Sequence, residues 1–240
     1  MQLLLTLQCE MLRLPLAYGR LVQGMLYHGG RTEEGHSAFL HDVGYRAGGR
    51  SFRLFTFGQL SGPHSVSGRE IVFRDGVELE VRSTDARFIQ SLLGSFIPGR
   101  ELRLGENTVT VQGCALTDRH ILEDHITIQT LSPITVYHSE PDGHTLYFSP
   151  EDPRFAHGVE QNARRKWQSY HGSGEPPAFS FRVPAGEQCR KTVTTYQGIY
   201  ITGWNGRFEL EGAPMMLDFL YQTGLGAKNA QGFGMFRTAE

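Results

Sequence analysis

Apolar positions along this chain switch repeatedly between a helical and a strand period. Residues 3–7 are a short apolar run, which predicts a buried strand. Pro15 then opens a predicted helix. Tyr18, Leu21, Val22, Met25 and Leu26 recur in it as one buried stripe, with Arg20, Gln23 and Tyr27 on the adjacent face. A helical turn is predicted over 37–43 and a strand over 53–57. The runs 71–73 and 77–81 flank Arg74-Asp75-Gly76, and Asp-Gly between such runs predicts a hairpin. Ser83 or Thr84 is placed to cap a helix carrying Phe88, Ile89, Leu92 and Leu93, which Gly94 and Pro98 stop. Strands are predicted over 102–111 and 126–136.

The second half repeats the order. Asp152-Pro153 starts a helix whose buried stripe is Ala156, Val159, Ala163, Trp167 and Tyr170. Strands are predicted over 179–183, 193–196 and 199–210, a helix over 215–221 and a last strand over 233–238; Asn205-Gly206 reads equally as a hairpin turn or a bulge. Each half thus runs strand, helix, two strands, helix, strand, which is the ferredoxin-like order. The expected fold is α+β, two tandem ferredoxin-like (RRM-like) domains with a C-terminal glycine-rich loop. The domains are expected at 1–138 and 139–240.

Composition narrows the class. With 39% hydrophobic and 20% charged residues the chain can build a packed core, and no stretch is long and apolar enough to span a bilayer. The start reads as a first strand and not as a signal peptide. Cys9, Cys114 and Cys189 are odd in number, far apart and without a CxxC pair, which fits a reducing cytoplasm. A net charge of −2 argues against a non-specific nucleic-acid coat but leaves a local basic face open.

The most patterned segment is Gly224-Leu225-Gly226-Ala227-Lys228-Asn229-Ala230-Gln231-Gly232-Phe233-Gly234. Glycines let backbone N–H groups converge on an anion. The segment lacks the Gly-Lys-Ser/Thr ending of a Walker loop, and it joins a helix to a strand, the reverse of the Walker and dinucleotide motifs. Arg164-Arg165-Lys166 is a basic run on the predicted 152–170 helix, either a solvated face or a phosphate track. Cys114, His120, Asp124 and His125 match no ligand spacing for a metal, and no two-metal carboxylate motif is present.

Taken in order, several segments resemble the CRISPR-associated repeat-RNA endoribonucleases, the sixth Cas family of the RAMP superfamily. Gly224–Phe236 resembles the C-terminal glycine-rich loop of the superfamily. Leu14-Pro15-Leu16-Ala17-Tyr18 through Tyr27 resembles the family's first helix, which ends in tyrosine. Leu40-His41-Asp42-Val43 resembles its Leu-His segment, and Phe52-Arg53-Leu54-Phe55-Thr56-Phe57 the strand that follows. Thr130-Leu131-Ser132-Pro133-Ile134 resembles the crossover into the second half, and Gly198-Ile199-Tyr200 completes the match. The resemblance spans nearly the whole chain.

It implies cleavage within CRISPR repeats, in which the ribose 2′-hydroxyl attacks the neighbouring phosphate. The products are a 2′,3′-cyclic phosphate and a 5′-hydroxyl, with neither metal nor cofactor. Such a reaction needs a base, an acid and a cation or donors for charge on phosphorus. His41, whose imidazole titrates near neutrality, is the proton-transfer candidate. His36 is the reserve, and His28 stands behind it. Tyr27 would orient or protonate an oxygen. Arg53 stands where some members carry lysine; its guanidinium cannot exchange a proton in this range and would stabilise charge only. The RNA-backbone candidates are Gly224, Gly226, Lys228, Asn229, Gly232, Phe233 and Gly234. The implied partner is CRISPR repeat RNA, single-stranded or a small hairpin, in a prokaryotic cytoplasm; other Cas proteins and a homodimer are left open. The alternative is a non-catalytic RAMP subunit that holds repeat or guide RNA in an effector complex.

Overall fold

A computed structural model describes residues 1–29, 44–172 and 174–239. His36, His41 and the turn expected at 37–43 lie outside the described residues. Two larger sheets organise the chain. The first runs, in spatial order, Phe55–Phe57, Val77–Ser83, Gln2–Gln8, Asn107–Thr117, Glu101–Leu104. The second runs Phe179–Arg182, Arg207–Gly212, His125–Thr130, Phe236–Thr238. All pairings in them are antiparallel. The protein is therefore a mixed α/β structure with antiparallel sheets.

Helices α1 (Gly19–Gly29) and α2 (Ala86–Ser95) cover the first sheet. Val22, Met25 and Leu26 from α1 and Phe88, Ile89 and Leu92 from α2 bury against Leu3, Leu5, Leu7 and Leu79. Helices α3 (Pro153–His171) and α4 (Pro214–Thr223) serve the second sheet. Phe155, Val159 and Ala163 join Met216, Leu217 and Leu220 over Ile128, Phe208 and Leu210. Both cores follow from the apolar stripes, since burial of those side chains is the main stabilising term.

Several local expectations give way to pairing elsewhere. Pro15 ends a strand, Met11–Pro15, that pairs with Glu70–Arg74, and α1 begins only at Gly19. Proline is tolerated there because Met11–Pro15 is an edge strand. Asp75-Gly76 makes no hairpin. Glu70–Arg74 pairs with Met11–Pro15 and His64–Ser67, whereas Val77–Ser83 joins the first sheet, so the turn hands the chain from one sheet to another. The expected 53–57 strand starts at Phe55, and Arg50–Phe52 pairs instead with Tyr45–Ala47. Asp85, not Ser83 or Thr84, caps α2, its carboxylate accepting from the amides of Arg87 and Phe88. Residues 102–111 fold as a hairpin, Glu101–Leu104 against Asn107–Thr117. Asn205-Gly206 is neither hairpin turn nor bulge. Ile199–Asn205 pairs with Arg190–Tyr196, and Arg207–Gly212 leaves for the second sheet.

Because His125–Thr130 pairs only with C-terminal strands, the change of sheet falls upstream of the expected break at 138. The two layers are joined by Arg82, which is 2% exposed on a first-sheet strand. Its Nη1 donates to the carbonyl of Phe236 at 2.7 Å, its Nε pairs with Glu80, and its guanidinium lies over the Tyr221 ring. No helix among the described residues is long and apolar enough to cross a membrane.

Candidate functional site

The glycine-rich segment, α1, α3 and the chain over 50–55 meet at one cleft of about 640 Å³. Among the described residues its charged lining groups are Arg50, Arg53, Lys166 and Lys228, all basic, with no carboxylate. An adjoining groove of about 500 Å³ shares Arg50 and Tyr137 and adds Arg154, His157 and Arg165, although Glu140 also lines it. In that groove Arg154 is already paired with Asp152 at 2.6 Å.

Tyr27 sits on the face of α1 that looks into the cleft, with its ring edge-on to Phe55 at 5.8 Å. Burial raises its pKa, and Arg53, as a nearby charge and hydrogen-bond partner, opposes that shift. The phenol is therefore protonated near neutrality and able to donate. Gln23, one turn earlier, also hydrogen-bonds Tyr27. Its Nε2 donates to the carbonyl of Ala230 at 2.5 Å, and its Oε1 accepts from Tyr196 of the 190–205 hairpin. One side chain thus joins α1, the hairpin and the glycine loop. Arg53 lies just before its strand, at the cleft wall, and bonds Ser51 Oγ.

The glycine loop is built differently from an anion cradle made of glycine amides. The N–H groups of Gly224, Gly232 and Gly234 donate to the carbonyls of Leu220, Asn229 and Pro133, inside the fold. Glycine is needed for shape: at Gly234, φ is 75° and a Cβ would collide with the Leu225 carbonyl. At Gly232, φ is 89° and a Cβ would sit 2.8 Å from the Phe57 ring. Asn229 turns its side chain inward, its Nδ2 donating to Leu225 O at 2.9 Å and Phe233 O at 3.0 Å. Phe233 is buried and offers no face for stacking a base, and Gly224, Gly226 and Gly234 are buried with it.

Lys228 is the charged loop residue that lines the cleft. It takes the left-handed conformation, φ 62°, and its Nζ lies 4.9 Å from the Tyr137 ring centroid. Partial burial lowers its pKa. Lys166 comes from α3 on the far side and donates to Gly224 O and to Asn229 Oδ1 at 3.2 Å. Two buried acceptors on the wall, Asn162 Oδ1 and Gln231 Oε1, have no donor among the described residues.

A family model described as "CRISPR associated protein Cas6, C-terminal" matches residues 116–238. The chain belongs to the Cas6 family. The CRISPR-associated endoribonuclease Cas6 1 of Methanocaldococcus jannaschii is 23% identical over 201 residues, 80% of this chain and 76% of its own length. The CRISPR-associated endoribonuclease Cas6 of Pyrococcus furiosus is 21% identical over 229 residues, 94% of this chain and 83% of its own. A solved structure described as a RAMP protein binding different RNA substrates superposes over 100% of both chains with a TM-score of 0.84 at 20% identity. That likeness carries the fold.

Of the candidates named from this Cas6 sequence, the structure brings Tyr27, Arg53, Lys228 and Asn229 to one cleft. His28 is exposed and does not line it. Within the run 164–166, Arg164 is exposed and Arg165 half-buried, whereas Lys166 is buried under the loop, so the run is not one solvated face. His120 bonds Asp218 at 3.0 Å and lies 3.1 Å from Asp118, away from the cleft. Sequence reasoning missed Gln23, Arg50 and Tyr137 as cleft residues. Gln23 alone left a signal, being on the Tyr27 face of the helix.

Proposed function

We propose that the chain is an endoribonuclease that cuts CRISPR precursor transcripts within the repeat to give guide RNAs. The observation that carries the reading is the cleft lined, among the described residues, by four basic side chains and no carboxylate, in a chain whose net charge is −2. A polyanion is the ligand such a cleft selects. The named activity of the relatives from M. jannaschii and P. furiosus supports RNA cleavage as its use.

In the proposed mechanism the 2′-hydroxyl attacks the adjacent phosphate without a metal, leaving a 2′,3′-cyclic phosphate and a 5′-hydroxyl. Arg53 grips the phosphate through two N–H groups and stabilises charge building on it. Tyr27, held protonated and aimed by Gln23, donates to an oxygen of the reacting phosphate. His41 takes the proton of the 2′-hydroxyl as that oxygen bonds to phosphorus, and a proton passes to the departing 5′-oxygen as its bond to phosphorus breaks. Lys228 holds the flanking phosphate. The free acceptors of Asn162 and Gln231 suit 2′-hydroxyl or base amino donors. The scaffold is read as two ferredoxin-like units, because both larger sheets share one strand order relative to their helices. We put their break before His125 instead of at 138, because His125–Thr130 pairs with C-terminal strands.

The test incubates the protein with repeat RNA in excess EDTA, beside Tyr27→Phe and a substrate with a 2′-deoxy at the cut site. Cleavage is expected to survive EDTA, fail on the deoxy substrate and slow by about 10²-fold in the variant. Cleavage of the deoxy substrate, or loss in EDTA, would sink the mechanism. Tight binding without cleavage would assign the chain to non-catalytic RNA holding.

A further inference from the structure

Lys166 is a charge in a place that a methionine could fill. It is 2% exposed, and among the described residues its hydrogen-bond partners are two neutral acceptors, Gly224 O and Asn229 Oδ1. Buried ammonium groups are costly and are ordinarily paired with a carboxylate. Among the described residues the other charged groups lining its cavity, Arg50, Arg53 and Lys228, are cationic, and the remaining titratable ones are Tyr27, Tyr137 and Tyr196. Burial pulls its pKa down to about 7. A residue kept against that penalty has electrostatic work that an apolar side chain cannot do.

Its two bonds say what the work is. Asn229, which accepts from Lys166 through Oδ1, uses its Nδ2 to tie Leu225 O to Phe233 O. Gly224 O is the loop's other anchor to Lys166. Both ends of the loop are thus fastened through one ammonium. The residue next to Asn229 is Lys228, in a left-handed conformation that a non-glycine residue adopts only when its surroundings fix it. Resting on the proposed reading of the cleft, we propose that Lys166 is a positioning residue for RNA cleavage, holding the glycine loop in the conformation that aims Lys228 at the substrate phosphate.

Hydrogen exchange of the free protein tests the mechanical half. In Lys166→Met, exchange over 224–235 is expected to rise about 10-fold, with α2 unchanged. A double-mutant cycle tests the functional half. Lys166→Met and Lys228→Met are each expected to slow repeat-RNA cleavage by about 10²-fold, and the double variant to be no slower than Lys228→Met. Lys166→Gln, which keeps a donor, is expected to recover part of the rate and carries the same cycle if Lys166→Met does not fold. The change of slope of the wild-type rate near pH 7 is also expected to shrink in Lys166→Met, the remainder belonging to proton transfer by His41. Additive losses, an unchanged pH profile or unchanged exchange overturn the proposal. A wild type that cuts no RNA counts against the proposed function alone, because exchange still decides whether Lys166 holds the loop.

Discussion

At Lys166 the native protein and the unfolded chain bind protons differently. The unfolded amine keeps its proton up to about 10.5, whereas the native one gives it up near 7. Between those values the unfolded state holds more protons, so the free energy of unfolding rises with pH, by about 1.4 kcal/mol per unit. Below the window both forms are charged and the burial penalty acts in full. Urea denaturation of wild type and Lys166→Met across the window is expected to show the wild type gaining stability relative to the variant as pH rises. Parallel curves would mean the ammonium is not buried. At this scale the sequence was partly legible. Tyr27, Arg53 and Lys228 reach the cleft as named, because helix phase and loop chemistry are local. Lys166 was not recognisable, since its run 164–166 looks solvated and only the fold lowers the loop onto it.

Among the elements, the glycine loop is the one whose sequence leaves least room for change. Gly234→Ala would press a Cβ into the Leu225 carbonyl at a residue with φ 75°, and is expected to cost about 3 kcal/mol, read by chemical denaturation. Gly24→Ala, on α1 with nothing within 4 Å of its added Cβ, is expected to be neutral or mildly stabilising in the same measurement. Helix α3 was readable almost to the residue because stripe and cap agree at Asp152-Pro153, whereas α1 opens four residues after Pro15 and α2 is capped by Asp85. Strands were less so. Asp75-Gly76 carries a strong hairpin signal and both residues do take positive φ, but Val77–Ser83 finds more to bury between Gln2–Gln8 and Phe55–Phe57. Partner choice among strands is a long-range decision that turn residues do not encode.

For the whole molecule, the separation of charge is the feature net charge conceals. An acidic chain concentrates Arg50, Arg53, Lys166 and Lys228 at one cleft. Affinity for single-stranded repeat RNA is expected to fall with salt at a log–log slope of about −0.7 per phosphate engaged, so about −2 for the three cations other than the buried Lys166, and Lys228→Met to flatten it by about 0.7. A salt-independent affinity would place the RNA elsewhere. The two layers that form this cleft are not interchangeable parts. Arg82 reaches out of one sheet for a carbonyl at the end of the chain, Phe236, and rests on Tyr221. Cut from its C-terminal counterpart, the first layer would keep a guanidinium whose seat had left with the other piece. A half borrowed from a relative would have to bring the same ring and the same carbonyl to the same spot, so the halves of this chain are bound to change together.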